Sequence, residues 1–400
     1  MTNKQRDLIQ RVKEIFDEYG DLDSKEYDDL DIPDKPCRKH LRKMIGVWQV
    51  VRDQAGANPN KLQKTYLQGQ NEKLLRDIEK QRNVNQIFID NCLAALSKVS
   101  FFPAKIPRQE KATEQQEFHS MKSDDHVGEL VESTWVQGVN EYNIDLFKSR
   151  LQLWMEKVML FREQDKRSLG LNKLIVYMLG DHVTGETVYH GQSYMIDAPV
   201  VDQFMTGMEE YTNTFLTLAQ TFPQIEIFCV PGNHGRPGRK GDNHPKSNFD
   251  YLLFRMMKKV FEKQDNINVY VSECPTMLIQ NGCYNFALNH NDDTRGWNGI
   301  PYYGLDRKAR RLGDLYGMQV HYKLGGHFHS PANLNDETLL NGTMVGGSDL
   351  SVNQMRTASL PSQKIFYFDK KHGINRESNI YLAVRNVLKP DDNGIYTAYV

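Results

Sequence analysis

Gly325 to Ser330 read GGHFHS, two histidines (His327 and His329) one residue apart behind a short strand-like stretch. Four more segments share that form: an apolar or β-prone run ends, and a side chain able to bind a metal follows at once. FHSMKSDDHVGE carries Asp124 and His126, and KLIVYMLGDHVTGE carries Gly180 and Asp181. IEIFCVPGNHGR carries Gly232, Asn233 and His234, and YNFALNHNDD carries His290. Together Asp124, His126, Asp181, Asn233, His290, His327 and His329 offer oxygen and nitrogen donors without a thiolate. That set suits manganese, iron or zinc in a reactive centre better than a structural zinc site. Seven protein donors are too many for one ion. They suit two ions about 3.5–4 Å apart that share a bridging carboxylate, the arrangement of hydrolytic two-metal sites.

Such loops meet only if the elements between them bring them together. Helical patterns such as NIDLFKSRLQLWMEKVMLF and VVDQFMTGMEEYTNTFLTLAQTF lie between the strand-like runs, so the class is α/β. In α/β sheets, ligands gather outside the carboxyl ends of the strands, which is where all five loops would fall.

At 400 residues, 39% hydrophobic and 25% charged, the chain has the composition of a soluble globular protein long enough for two or three domains. Lys plus Arg (50) nearly balances Asp plus Glu (51), so attraction to a polyanion has to come from local patches. Five scattered cysteines without a C-x-x-C pair argue against a disulfide framework and a zinc ribbon, and fit a reducing compartment. The N-terminus is charged from its fourth residue and lacks an apolar core segment, and no run reaches about 18 apolar residues. A cytoplasmic, soluble protein is expected.

Three domains are expected: residues 1–55, a helix-turn-helix-like helical domain; 56–116, a long helix (Lys61 to about Val99) and a linker; and 117–400, the domain that bears the metal-binding pattern. In the first, Leu8, Ile9, Val12, Ile15, Phe16 and Tyr19 recur at helical spacing up to Gly20, a short helix starts at the cap candidate Ser24, and a third helix follows DIPDKP. That third helix is expected to carry Lys35, Arg38, Lys39, Arg42 and Lys43, charges suited to phosphates and base edges in a DNA-binding helix-turn-helix. A small bundle with a solvated basic face is the alternative.

The series D-x-H, GD, GNH, NH and G-H-x-H resembles the calcineurin-like metallophosphoesterases, over roughly Glu117 to the end. The resemblance implies a double β-sandwich flanked by helices, four layers in the order αββα. It implies that Asp124, His126 and His329 hold one metal and Asn233, His290 and His327 the other, with Asp181 bridging. His234 would be the outer-sphere catalytic histidine at the leaving oxygen, and the usual ions would be Mn2+ or other divalent metals such as Fe, Zn, Mg or Ni. Two departures stand out. The family usually has Asp or Glu after GNH to orient the histidine, whereas this chain has Gly235, with Asp292 or Asp293 as replacement candidates. The middle of DDH is Asp125, expected to point away from the metals.

Two cations sharing a water lower its pKa from about 15.7 toward neutrality, so hydroxide can attack phosphorus without a strong protein base. Basic and aromatic residues near the pattern could bind substrate: Arg236, Arg239 and Lys240 after GNH, then Arg295, Tyr302 and Tyr303 before a basic helix. Phosphate contacts with stacking aromatics suit a nucleic-acid strand, although solvated charges and core aromatics give the same pattern. The arrangement looks like phage and prokaryotic phosphoesterases related to nucleases of the Mre11/SbcD type, which often pair up as homodimers. The leading expectation is a phosphodiesterase acting on DNA. The alternatives are a phosphatase or cyclic-nucleotide phosphodiesterase on a small substrate, and a catalytically silent DNA-binding subunit.

Overall fold

A computed structural model of the chain describes residues 2–19, 22–44, 48, 50, 51, 70–73, 75, 76, 103–112, 114–294, 301–355 and 358–384. It divides into two compact units, Met1–Phe88 and Ile89–Val400. The long helix expected over 61–99 lies largely outside the described residues.

In the first unit, α1 (Asn3–Tyr19), α2 (Ser24–Asp29) and α3 (Arg38–Met44) enclose a small core of Val12, Ile15, Tyr27, Leu41 and Val51. The cap of α2 is Asp23 rather than Ser24. Its carboxylate accepts from the N–H groups of Lys25 and Glu26, and Glu26 reaches back to the Asp23 N–H, so two-way capping outcompetes the hydroxyl one residue on. Lys35 lies before α3 rather than on it: its ammonium donates to the carbonyls of Tyr27 (2.8 Å), Asp28 (3.0 Å) and Leu30, the open end of α2. Arg38 bonds the Ser24 carbonyl and pairs with Asp28. Lys39, Arg42 and Lys43 are exposed on α3.

The second unit is built on two mixed sheets. The first has the order β11-β10-β1-β2-β3-β4, where β1 (Gln116–Lys122), β2 (Gly170–Met178), β3 (Gln224–Cys229) and β4 (Ile267–Val271) run parallel. The hairpin β10 (Ser362–Asp369) and β11 (Gly373–Tyr381) is antiparallel and lies beside β1. The second sheet has the order β5-β6-β7-β9-β8, from β5 (Thr276–Asn281), β6 (Tyr284–Asn289), β7 (Tyr322–Gly325), β8 (Ala332–Leu334) and β9 (Thr338–Leu340).

Strand alternation decides what each face meets. Leu174, Val176 and Met178 of β2 face one core, while Ile175 and Tyr177 face the other. The first core lies under α4 (Ile144–Leu169), α5 (Val200–Ala219) and α6 (Phe249–Phe261). These helices turn in Phe147, Leu151, Trp154 and Val158, then Phe204, Met208, Tyr211, Phe215 and Leu218, then Leu253, Phe254 and Met257, all at helical spacing. Each such side chain contributes about 1.5–3 kcal/mol on burial. The second core joins the sheets through Met121, Ile175, Tyr177, Phe366 and Phe368 against Phe286, Leu288, Leu324 and Leu339. Helix α7 (Tyr302–Tyr316) covers the outer face of the second sheet with Leu305 and Ala309. The result is an α/β double sandwich with layers in the order αββα.

Residues 103–112 run along this unit, with Ala104 bonded to Gln264 and Glu110 to Asn172. No helix among the described residues is long and apolar enough to cross a membrane.

Candidate metal centre

All five sequence segments follow strands: β1, β2 and β6 stop immediately before Ser123–His126, Leu179–Asp181 and His290, β3 stops three residues before Asn233–His234, and β7 stops one residue before His327–His329. Three of these strands belong to one sheet and two to the other, so the loops converge at one end of the sandwich seam. The Asp124 N–H donates to the Gly180 carbonyl (3.0 Å) and the His126 N–H to the Asp181 carbonyl (3.0 Å). Across the seam, His290 Nδ1 donates to the Leu179 carbonyl (2.7 Å), and the His327 N–H donates to both Asp124 oxygens (3.0 Å).

The close approach requires glycine. A Cβ on Gly180 would lie 2.5 Å from the Gly232 backbone, and one on Gly232 would lie 2.1 Å from Asp181 Oδ1. The donors also strain the chain: Asp124, His126, Asp181, His327 and His329 all have φ between 45° and 77°. Left-handed non-glycine residues cost about 1 kcal/mol or more each and gather where function needs a particular aim.

Three groups of ligand atoms lie within 4.8 Å of one another: Asp124, His126 and His329; His126, Asp181 and His234; Asp181, His290 and His327. Asp181 belongs to two of them. Asn233 sits between Gly232, whose backbone touches Asp181, and His234, whose N–H donates to Asp181 Oδ1 (2.7 Å). The Asn233 Oδ1 and His126 Nδ1 atoms are buried without a hydrogen-bond partner, His290 Nε2 meets only Asp181 Oδ2, and His126 Nε2 faces His329 Nε2 at 3.2 Å. Buried polar atoms normally find partners. Buried oxygen and nitrogen atoms that have no partner or only one another are the donor set of a divalent cation, so these residues fit the ions that the sequence pattern calls for.

The electrostatics follow from burial against mutual charge. Burial raises the Asp124 carboxyl, but the hydrogen bond and charge of His329 outweigh it and hold the group at about 2. Asp181 is likewise held well below its ordinary value, with burial opposed by His290 and His234. His290 Nε2 lies 2.8 Å from Asp181 Oδ2, and this attraction overcomes burial to raise the imidazole to about 10. His327 falls to about 4 through burial and the neighbouring His290 charge.

His234 is aimed by a backbone carbonyl: its Nδ1 donates to Thr184 O at 2.9 Å. Neither replacement carboxylate orients it. Asp292 pairs with Lys240 (3.1 Å) and Arg236 (3.8 Å), and Asp293 pairs with Lys308. At Gly235 a Cβ would lie 2.3 Å from Asn248 Oδ1, so the space a longer side chain would need is filled by the cap of α6.

Asp125 points into the helical layer. It pairs with the buried Lys122, accepts from Tyr211, and bonds His182 Nδ1 (2.8 Å). Lys122, His182, Glu129 and Asp250 were not singled out in the sequence. Glu129 comes within 3.5 Å of His126 Nδ1, and no motif marks it. Lys122 and His182 flank the DDH and GD motifs, and a charged residue ending an otherwise apolar strand was the available signal.

The expected substrate-binding residues divide. Arg239 and Lys240 are exposed, Arg236 is partly buried, and Tyr302 and Tyr303 are 42% and 68% exposed at the start of α7, not in the core. Arg295 lies outside the described residues.

No protein-family model and no curated protein matches the sequence. Among solved structures the chain is similar to Vps29 from Entamoeba histolytica complexed with Zn2+, at 12% identity and a TM-score of 0.25, covering 66% of this chain and 99% of that one. It is similar to a Thermotoga maritima protein solved by NMR, at 12% identity and a TM-score of 0.26, with the same 66% and 99% coverage. A 5'-nucleotidase precursor from Thermus thermophilus is 10% identical with a TM-score of 0.28, covering 66% of this chain and 54% of that one.

Proposed function

We propose that the second unit is a divalent-metal-dependent phosphoesterase of the calcineurin-like type that hydrolyses phosphodiester bonds, with DNA as its substrate. The observation that carries this reading is the sharing of Asp181 between mutually close donor groups contributed by five strand ends. Asp124, His126 and His329 would hold one ion, Asn233, His290 and His327 the other, and Asp181 would serve both. A pair of divalent ions, most simply Mn2+, supplies a hydroxide at neutral pH and neutralises charge on the phosphoryl oxygens.

The chain's own residues supply the rest. Thr184 fixes the His234 ring by accepting from Nδ1, leaving Nε2 for the leaving-group oxygen, where a positioned proton donor is worth about 10²–10⁴ in rate. The Asp181 carboxylate is kept ionised at neutral pH, ready to act as ligand without first losing a proton. Exposed Tyr302 and Tyr303 offer stacking faces, and Arg239 and Lys240 offer phosphate contacts. Of the five basic residues expected on the third helix, Lys39, Arg42 and Lys43 are exposed to reach a backbone.

A panel of labelled single- and double-stranded DNA, a small phosphodiester and phosphomonoesters, run with each divalent cation, tests the reading. Metal-dependent DNA cleavage is expected. Brisk turnover of a small ester that long DNA fails to inhibit would move the substrate to a single nucleotide or monoester. Tight DNA binding with no metal and no turnover would mark a silent binding subunit.

A further inference from the structure

Asp250 is fully buried in the first turn of α6, and its carboxylate meets no lysine or arginine among the described residues. Its oxygens accept instead from four backbone N–H groups on two different loops. Oδ1 takes those of His182 (3.0 Å) and Val183 (3.2 Å), and Oδ2 takes those of Asp181 (2.8 Å) and Gly232 (3.0 Å). A buried carboxylate is costly unless it is fully hydrogen-bonded, and bonds to a charged acceptor are about twice as strong as neutral ones.

We infer that Asp250 is a positioning residue that clasps the loop after β2 to the loop after β3 and so sets the spacing between Asp181 and the Asn233–His234 pair. This rests on the metal-binding role proposed above. Of the two oxygens, Oδ2 joins an N–H from each loop, and it does so beside the direct bond from the His234 N–H to Asp181 Oδ1. Gly180 and Gly232 bring the two backbones into contact and the His234 N–H donates to Asp181 Oδ1, and Asp250 fixes that pairing against the helical layer. Helix α6 anchors the clasp through Leu253, Phe254 and Met257 in the core, so the donors are referenced to the helical layer as well as to their own strands. An asparagine here keeps one acceptor oxygen and presents an NH2 group to N–H groups on the other side. Either orientation breaks half the clasp.

The test is calorimetric titration of Mn2+ into the wild type, Asp250→Asn and Val260→Ala, the last a core truncation on the same helix that lowers stability without touching the loops. Asp250→Asn is expected to weaken Mn2+ binding at least tenfold and to raise the Mn2+ concentration for half-maximal activity in step, part of the turnover returning at saturating Mn2+. Val260→Ala is expected to change neither. Unchanged Mn2+ affinity in Asp250→Asn, or an equal change in Val260→Ala, would overturn the inference. Should Asp250→Asn fail to fold, Asp250→Ser, which admits water to the four N–H groups, carries the same comparison. Failure of both to fold would overturn it too, by assigning the carboxylate to the fold. Wild type that takes up no Mn2+ would reject the metal reading itself, whereas binding that Asp250→Asn matches rejects only the clasp.

Discussion

At the scale of single residues, the centre is a set of side chains whose charges are balanced against one another in a dry setting. Asp181 serves two donor groups, so Asp181→Asn should cost metal content and activity together, as should His290→Ala. His234 is held by the Thr184 carbonyl, and His234→Ala should retain the metals while turnover falls about 10²-fold or more. Elemental analysis beside initial rates separates the two outcomes, and full metal in Asp181→Asn would end the bridging role proposed for it. The donor residues were legible because each is a polar residue that ends an apolar run, a break visible without coordinates. Their aim was not. That Asp124, His126, Asp181, His327 and His329 adopt left-handed backbone is imposed by neighbouring loops, and nothing in a single residue's type announces it.

Among elements, the donor loops are tied to the helical layer through acidic groups. Asp125 sits between two donors yet faces Lys122, His182 and Tyr211, with no exposure on either Lys122 or Asp125 beyond 1%. Burial lowers the Lys122 pKa and Asp125 raises it again, so removing the acid leaves a buried cation alone. Asp125→Ala should therefore destabilise the protein by about 3–5 kcal/mol in urea unfolding, while a loss below about 1 kcal/mol would show that the pair is not what holds this turn. Strands of the second unit were readable as apolar runs, because they are buried on both faces, and the amphipathic helices from their period of 3.6. Capping and cross-element bonds were not. The cap of α2 moved from Ser24 to Asp23, and Lys35 and Arg38, read as partners for a nucleic acid, turned out to satisfy carbonyls and an acid within their own unit. Such roles depend on where a neighbouring element ends, which a pattern along one segment does not contain.

At the scale of the whole molecule, stability and metal binding should respond to pH with opposite slopes. The folded-state pKa of His290, about 10, lies above its unfolded value of about 6.5. Its contribution is fully present below pH 6.5 and is lost as pH rises toward 10. The metal-free protein should thus melt lower as pH goes from 6.5 to 8.5. With Mn2+ the trend should reverse, because the ion at His290 must displace the imidazolium proton and binds more tightly as pH rises. Thermal melts with EDTA and with Mn2+ across that range check both signs. The order of the strands carries one more consequence. β10 lies beside β1, between the earliest strand of the sheet and its last, so a ribosome must deliver residues up to about Tyr381 before the sheet that carries Asp124 can close. A nascent chain that has emerged only as far as Leu340 already owns every donor, yet it should capture no cation until the C-terminal hairpin arrives to lock β1 in place.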